Sequence, residues 1–131
     1  MVSNYRGQSM YPTFKDRDKL YIQPANEEDF RRGDIIAFFA NSYLVVHRIL
    51  KLRKTQDHQT VVITSGDKSN PYSLDLPVKF NQVLGRVEFY QRGSRVYSTR
   101  RLFFKLRTTF YLYYRLTLLK INELRRKKCK K

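Results

Sequence analysis

Ile35-Ile36-Ala37-Phe38-Phe39-Ala40-Asn41-Ser42-Tyr43-Leu44-Val45-Val46-His47-Arg48-Ile49-Leu50-Lys51-Leu52 is the stretch that decides the fold. Ile35–Phe39 is a short unbroken apolar run, as a strand buried on both faces requires. Asn41-Ser42 supplies a two-residue turn, and Tyr43–Leu52 returns as the longest strand of the chain. On the N-terminal side, Gly33-Asp34 turns the chain into this hairpin. Asn26–Phe30 is acidic and suits one helical turn capped by Asn26. Lys19–Gln23 alternates as a strand and stops at Pro24. On the C-terminal side, Lys51–Gln59 is a polar hairpin end and Thr60–Thr64 a β-branched strand. Lys68–Leu76, with Asn70-Pro71, is a loop. Val83–Tyr90 is a further strand in which Gly85 marks a bulge or a close approach, and Arg92-Gly93-Ser94 turns into Arg95–Tyr97. Strands dominate, so the expected class is mainly β: an antiparallel, partly closed fold of coiled strands.

The chain has 131 residues, enough for one domain with a core of its own. Its net charge is +16, and the excess is local. From Thr99 onward there are twelve Lys or Arg and one acid, Glu123, which leaves +5 for residues 1–98. Thr99 is expected to cap a helix running to about Lys127, with Leu102, Phe103, Leu106, Phe110, Tyr113, Tyr114, Leu118, Ile121 and Leu124 at helical spacing. The chain therefore divides into a β body, 1–98, and a basic amphipathic helix with its tail, 99–131. Arg107, Arg115 and Lys120 interrupt the apolar positions, so this helix is too charged to span a bilayer. Three uses of it are open: packing on the body, anchoring at an anionic membrane surface, or binding nucleic acid. The interfacial use is preferred because thirty residues of helix exceed what a small body covers. Nucleic acid ranks last, since no binding motif accompanies the charge. The single cysteine, Cys129, permits no intrachain disulfide and fits a reducing, cytoplasmic compartment. The N-terminus carries no apolar run of signal-peptide or transmembrane type. The expectation is a protein without a spanning helix, cytoplasmic or peripheral at the inner membrane face.

The chemistry-bearing residues lie in separate segments. Gly7-Gln8-Ser9-Met10-Tyr11-Pro12-Thr13-Phe14 presents Ser9 on a short stiff turn. A serine hydroxyl attacks a carbonyl only with a base in reach, and His47 is the candidate. An unperturbed imidazole titrates near about 6.5 and is substantially neutral at pH 7. Asp67, in Thr64-Ser65-Gly66-Asp67-Lys68, is the first candidate to hold the other ring nitrogen, and Asp75, in Ser73-Leu74-Asp75-Leu76, is the second. His58 lacks such company and reads as a solvated loop residue. Asp34 reads as a turn cap and Cys129 as inert. Two distant histidines and one cysteine form no metal-ligand pattern, and no cofactor is expected.

Ser9-Met10-x-Pro12-Thr13-Phe14, Arg32-Gly33-Asp34-Ile35-Ile36, Val46-His47-Arg48-Ile49 and Ser65-Gly66-Asp67 occur in the order and approximate spacing of the type I signal peptidase superfamily. The chain resembles the branch with a catalytic histidine, the endoplasmic-reticulum and spore-former type; the bacterial leader peptidase and LexA-type branches carry lysine there. The boxes cover about the first two-thirds of the chain. The resemblance implies a mostly β catalytic core and a serine endopeptidase that removes a leader or propeptide from an exported or modified peptide. It also implies a cut after small residues such as Ala, Gly or Ser. The catalytic group is then Ser9, His47 and one or both of Asp67 and Asp75. The Ser9 backbone N–H serves the oxyanion, and an extended peptide lies along a strand edge over a shallow pocket that includes Met10, Ile35 and Ile36. Two departures stand out. No spanning helix precedes the nucleophile box, and the position two before Ser9, where many relatives carry a hydroxyl donor, is Gly7. The alternatives are a LexA-like self-cleaving regulator and a catalytically inactive peptide-binding relative.

Overall fold

The computed structural model describes residues 1–70 and 72–129; Pro71, Lys130 and Lys131 lie outside the described residues. The central hairpin forms as its sequence dictates. Strands β3 (Ile35–Ala40) and β4 (Tyr43–Lys54) pair antiparallel in unbroken register from Ala40 with Tyr43 to Ile35 with Arg48. Asn41 and Ser42 join them at φ of 51° and 69°, the positive values that a right-twisted two-residue hairpin demands at both central positions.

The other strands are β1 (Val2–Asn4), β2 (Lys19–Gln23), β5 (Thr60–Ser65), β6 (Val78–Lys79), β7 (Val83–Arg92) and β8 (Arg95–Ser98). Among the described residues, the eight strands make one antiparallel sheet in the order β1-β2-β7-β3-β4-β5-β6. Strand β7 pairs with β2 along most of its length, with β3 through its first residues and with β8 through its last. A single 3₁₀ turn, Glu27–Asp29, follows Asn26, and a second, Phe80–Gln82, leads into β7.

Alternation along β3 distributes its side chains to two cores. Ile35 and Ala37 join Tyr5, Met10, Phe14 and Val46, whereas Ile36 and Phe38 join Phe30, Ile49 and Val62. Burial of Met10 and Phe14, each worth about 1.5–3 kcal/mol, pins the turn that carries Ser9 to the first core. That core is closed by Phe104 of the one long helix, α1 (Leu102–Cys129).

Several expectations need correction. Strands β1 and β6 are too short to stand out from their surroundings in sequence. The helix begins at Leu102, because the Thr99 hydroxyl donates to the carbonyls of Val87 and Glu88 on β7 instead of capping α1. Most of the apolar positions at helical spacing point to solvent, so packing on the body, one of the three uses left open, is not theirs. The body-facing side instead carries Phe104, Thr108, Tyr111, Leu112 and Arg115. No described helix is long and apolar enough to cross a membrane.

Gly85 is a close approach: a methyl there would lie 2.5 Å from the Gln23 carbonyl oxygen on the neighbouring strand. Backbone cannot yield as a side chain does. Gly85→Ala is therefore expected to destabilise the fold by about 1–3 kcal/mol, and Phe14→Ala by about 3–5 kcal/mol. Urea titration followed by circular dichroism measures both, and unchanged midpoints would contradict the packing described.

Candidate active site

Four segments converge near the end of β5. The first is the turn after β1. There the Tyr5 hydroxyl accepts a hydrogen bond from the Met10 N–H (2.9 Å) and lies 3.0 Å from the Ser9 Oγ. A phenol has one hydrogen; with its oxygen already accepting from Met10, that hydrogen is available to Ser9. The second is β4, which carries His47 opposite Ile36, its ring edge-on to Phe38.

The third segment is the loop after β5. His47 Nδ1 forms a short hydrogen bond with the Asp75 carboxylate, which also accepts from the Thr64 hydroxyl at 2.7 Å. The Asp75 backbone N–H donates to the Thr64 carbonyl at 2.9 Å, so loop and strand hold this acid together. Burial alone would raise the Asp75 carboxyl. The hydrogen bonds from His47 and Thr64, with the charges of His47 and Arg115, outweigh burial and hold it below its ordinary value.

With Nδ1 engaged by Asp75, the other ring nitrogen is left for chemistry, and Gly66 shows where it lies. A methyl built on Gly66 would come 3.1 Å from His47 Nε2, 2.6 Å from the Ser9 carbonyl oxygen and 2.8 Å from the Ser69 Oγ. The Ser9 turn and the His47 Nε2 thus crowd one Cα that tolerates no side chain. Lys68 N–H donates to the Ser9 carbonyl (2.9 Å) and its ammonium to the Gln8 side chain (2.6 Å), fixing the same turn from outside.

The fourth segment is α1, from which Arg115 reaches into the interior. It is almost fully buried and donates to the Ser65 hydroxyl (2.8 Å), the Ser73 carbonyl (3.0 Å), the Gly66 carbonyl (3.3 Å) and the Tyr111 hydroxyl (2.7 Å). It clamps both ends of the loop that runs from Gly66 to Asp75.

Of the residues singled out from sequence, His47 and Asp75 are hydrogen-bonded to each other and the Ser9 backbone lies beside them across Gly66, with the Ser9 hydroxyl bonded to Tyr5; Asp67 is not their partner. Asp67 is the buried partner of Arg48, which grips its carboxylate at 2.9 and 2.8 Å through Nε and Nη2. The same carboxylate accepts from the Thr13 hydroxyl. Arg48 donates further to the Gly33 carbonyl (3.0 Å) and the Thr108 hydroxyl (2.8 Å). Asp67 is thus a structural acid that ties the turn carrying Ser9, β4 and α1 together, and Asp75 is the acid on the histidine.

Met10, Ile35 and Ile36, expected to line a substrate pocket, are instead core side chains with essentially no exposed surface. The Met10 sulfur accepts from the Asp67 N–H at 3.4 Å. The Ser65 hydroxyl is fully engaged, donating to the Ser73 carbonyl and accepting from Arg115. Gly7, at φ +112°, donates its N–H to Asp16 and adds no donor of its own. Tyr5, Thr64 and Arg115 were not anticipated. Only Tyr5 had a signal, a phenol within one turn of Ser9.

Among the described residues no three His, Cys, Asp or Glu side chains gather as metal ligands. A cavity of about 640 Å³ lies between α1 and β7, lined in part by Arg31, Arg86, Glu88, Arg100 and Lys105, and shares no lining residue with the Ser9 cluster. Its Glu88 is bound by both Arg86 and Arg100 (2.8 Å each), and Arg86 also meets Asp34 at 3.2 Å.

The two acids are separable by experiment. Asp67→Ala strands a buried guanidinium and is expected to cost about 3–5 kcal/mol of stability. Asp75→Asn should cost far less. The Asp75 contribution to stability is full above the ordinary carboxylate value and falls away as pH drops from there through the lowered one. The stability gap between wild type and Asp75→Asn is therefore expected to close on acidification, as read by denaturant titrations across the acid range. A gap that widened would reverse the assignment. No protein-family model, curated protein or solved structure matches this chain.

Proposed function

We propose that this protein is a serine endopeptidase of signal peptidase type, built on a signal peptidase-like β fold, with Ser9 as nucleophile, His47 as base and Asp75 as the acid that orients it. One observation carries the proposal: His47 is held through Nδ1 by Asp75 while Nε2 and the Ser9 turn meet across Gly66. That is the order of groups by which a hydroxyl is deprotonated.

In the reaction, Ser9 Oγ attacks the scissile carbonyl and its proton passes to His47 Nε2. The imidazolium is stabilised by Asp75, and the same proton then goes to the departing amine, leaving an acyl group on Ser9. Water, deprotonated by the same imidazole, releases the acid product and restores Ser9. The Tyr5 hydroxyl, 3.0 Å from Oγ, offers a hydrogen bond to the oxygen as it loses its proton. The Ser9 backbone N–H is the oxyanion donor the turn supplies. The substrate class follows from the sequence resemblance: a leader or propeptide cut after Ala, Gly or Ser.

A second reading has one observation behind it. Gly7 leaves the oxyanion without the side-chain donor common in the resembling family, a loss of about a hundred-fold or more in rate, and so favours a catalytically inactive peptide-binding relative. A LexA-like self-cleaving regulator gains no comparable support.

The deciding experiment incubates the purified full chain with a library of unstructured peptides carrying Ala, Gly or Ser at the cut position, with products read by mass spectrometry. Cleavage is expected, is expected to disappear in Ser9→Ala and His47→Ala, and is expected to fall about 10³–10⁴-fold in Asp75→Asn. Tyr5→Phe is expected to lower kcat with KM little changed. Binding of these peptides without cleavage would favour the inactive relative, and a fragment of the chain itself the regulator. Activity retained by Ser9→Ala would overturn the nucleophile assignment.

A further inference from the structure

The helix that clamps the site has a second face that the fold leaves uncovered. On α1, Phe103, Leu106, Phe110 and Tyr113 recur at three- and four-residue spacing, and Ile121 and Leu124 resume the same face beyond Thr117. It lies on the side away from Phe104, Thr108 and Arg115, which face the sheet. Phe110 is 76 % and Tyr113 77 % exposed, values far above those of aromatic side chains that merely edge a core. From Phe103 to Leu124 the stripe runs for roughly 30 Å along the helix.

Charge lines this stripe on both borders. Helical spacing puts Arg107 and Arg125 along one edge and Lys120 and Lys127 along the other, and all four are exposed. Glu123 is the one acid of α1, and it is paired with Lys127 at 3.6 Å. Apolar and aromatic side chains in the middle, with long cationic chains able to extend sideways from them, match the boundary between acyl chains and anionic headgroups. The helix is too charged to cross, so the geometry is that of an element lying in the surface plane.

From this we infer that the outer face of α1 docks on an anionic lipid bilayer, with the apolar stripe at the acyl boundary and its two basic borders on the headgroups. A second copy of this chain fits less well, because it would bring the same positive borders together in a protein of net charge +16. Nucleic acid would satisfy the charges and leave the stripe in water. Docking does not depend on the peptidase reading, since no side chain of the stripe touches Ser9, His47 or Asp75.

Co-sedimentation of the full chain with vesicles tests the inference. One set is phosphatidylcholine alone, and in the other roughly a third is replaced by phosphatidylglycerol. Binding to the anionic vesicles is expected to be at least about ten-fold tighter. Phe110→Ser combined with Tyr113→Ser is expected to weaken it about ten-fold or more, as is Lys120→Glu combined with Arg107→Glu. These positions are exposed, and unchanged circular dichroism checks that the variants fold. Ser9→Ala is expected to bind as wild type does, so failure of the peptidase reading leaves this result intact. No binding to either vesicle, or equal binding to both, would overturn the inference. So would a concentration-dependent dimer abolished by the Phe110 and Tyr113 changes, or duplex DNA binding that those changes leave untouched.

Discussion

The buried pair between Arg48 and Asp67 is the constraint on which the remaining structure hangs. Both side chains are nearly without solvent contact, and two charges in such a place persist only when each hydrogen-bonding position is met. Arg48 meets its own through Asp67, Gly33 and Thr108; Asp67 meets its own through Arg48 and Thr13. Those partners come from the turn that carries Ser9, from the turn before β3, from the loop after β5 and from α1. Satisfying one guanidinium therefore fixes four pieces of chain relative to β4. His47 is the preceding residue of that strand, and alternation turns it to the opposite face. The pair sets the frame, and the histidine is presented from its far side.

This also explains where the sequence was legible. The β3–β4 hairpin could be read with its turn in place and its strands one and two residues short of Ala40 and Lys54, because a continuous apolar run, a two-residue polar turn and a long β-branched return admit few other folds. Lys19–Gln23 was as clear, with its alternation and its closing proline. By contrast, β1 and β6 are three and two residues long. They are strands only because β2 and β5 offer them partners, and nothing local records that. The mainly β class with one terminal helix was accessible, whereas the order of strands was not.

The site was half legible for a related reason. Ser9 and His47 stood out by their chemistry, and two acids followed. Choosing between Asp67 and Asp75 required noticing that His47 and Arg48 are neighbours on a strand and so need separate partners on separate faces. The arginine takes the acid next to Gly66, and the histidine takes the later one. The helix was legible on one side only. Its most apolar positions were read as an outward, interfacial face in preference to a packing one, whereas the interior belongs to a side with Thr108, Tyr111 and Arg115, whose value lies in hydrogen bonds that hydropathy does not count. Tyr111 illustrates the point. Burial and the Asp67 charge raise its hydroxyl above the ordinary phenol value, which keeps it a neutral donor to the Asp67 carbonyl.

Arg115 has one more consequence, which concerns the order in which the chain is made. Ser9, His47 and Asp75 all leave the ribosome before α1 does. Until α1 has followed them and folded back, the Gly66-to-Asp75 loop has no guanidinium to gather it and Arg48 lacks its Thr108 partner. The Ser9, His47 and Asp75 side chains are thus synthesised before the element that arranges their surroundings, and the cluster takes its folded form only once the helix has arrived.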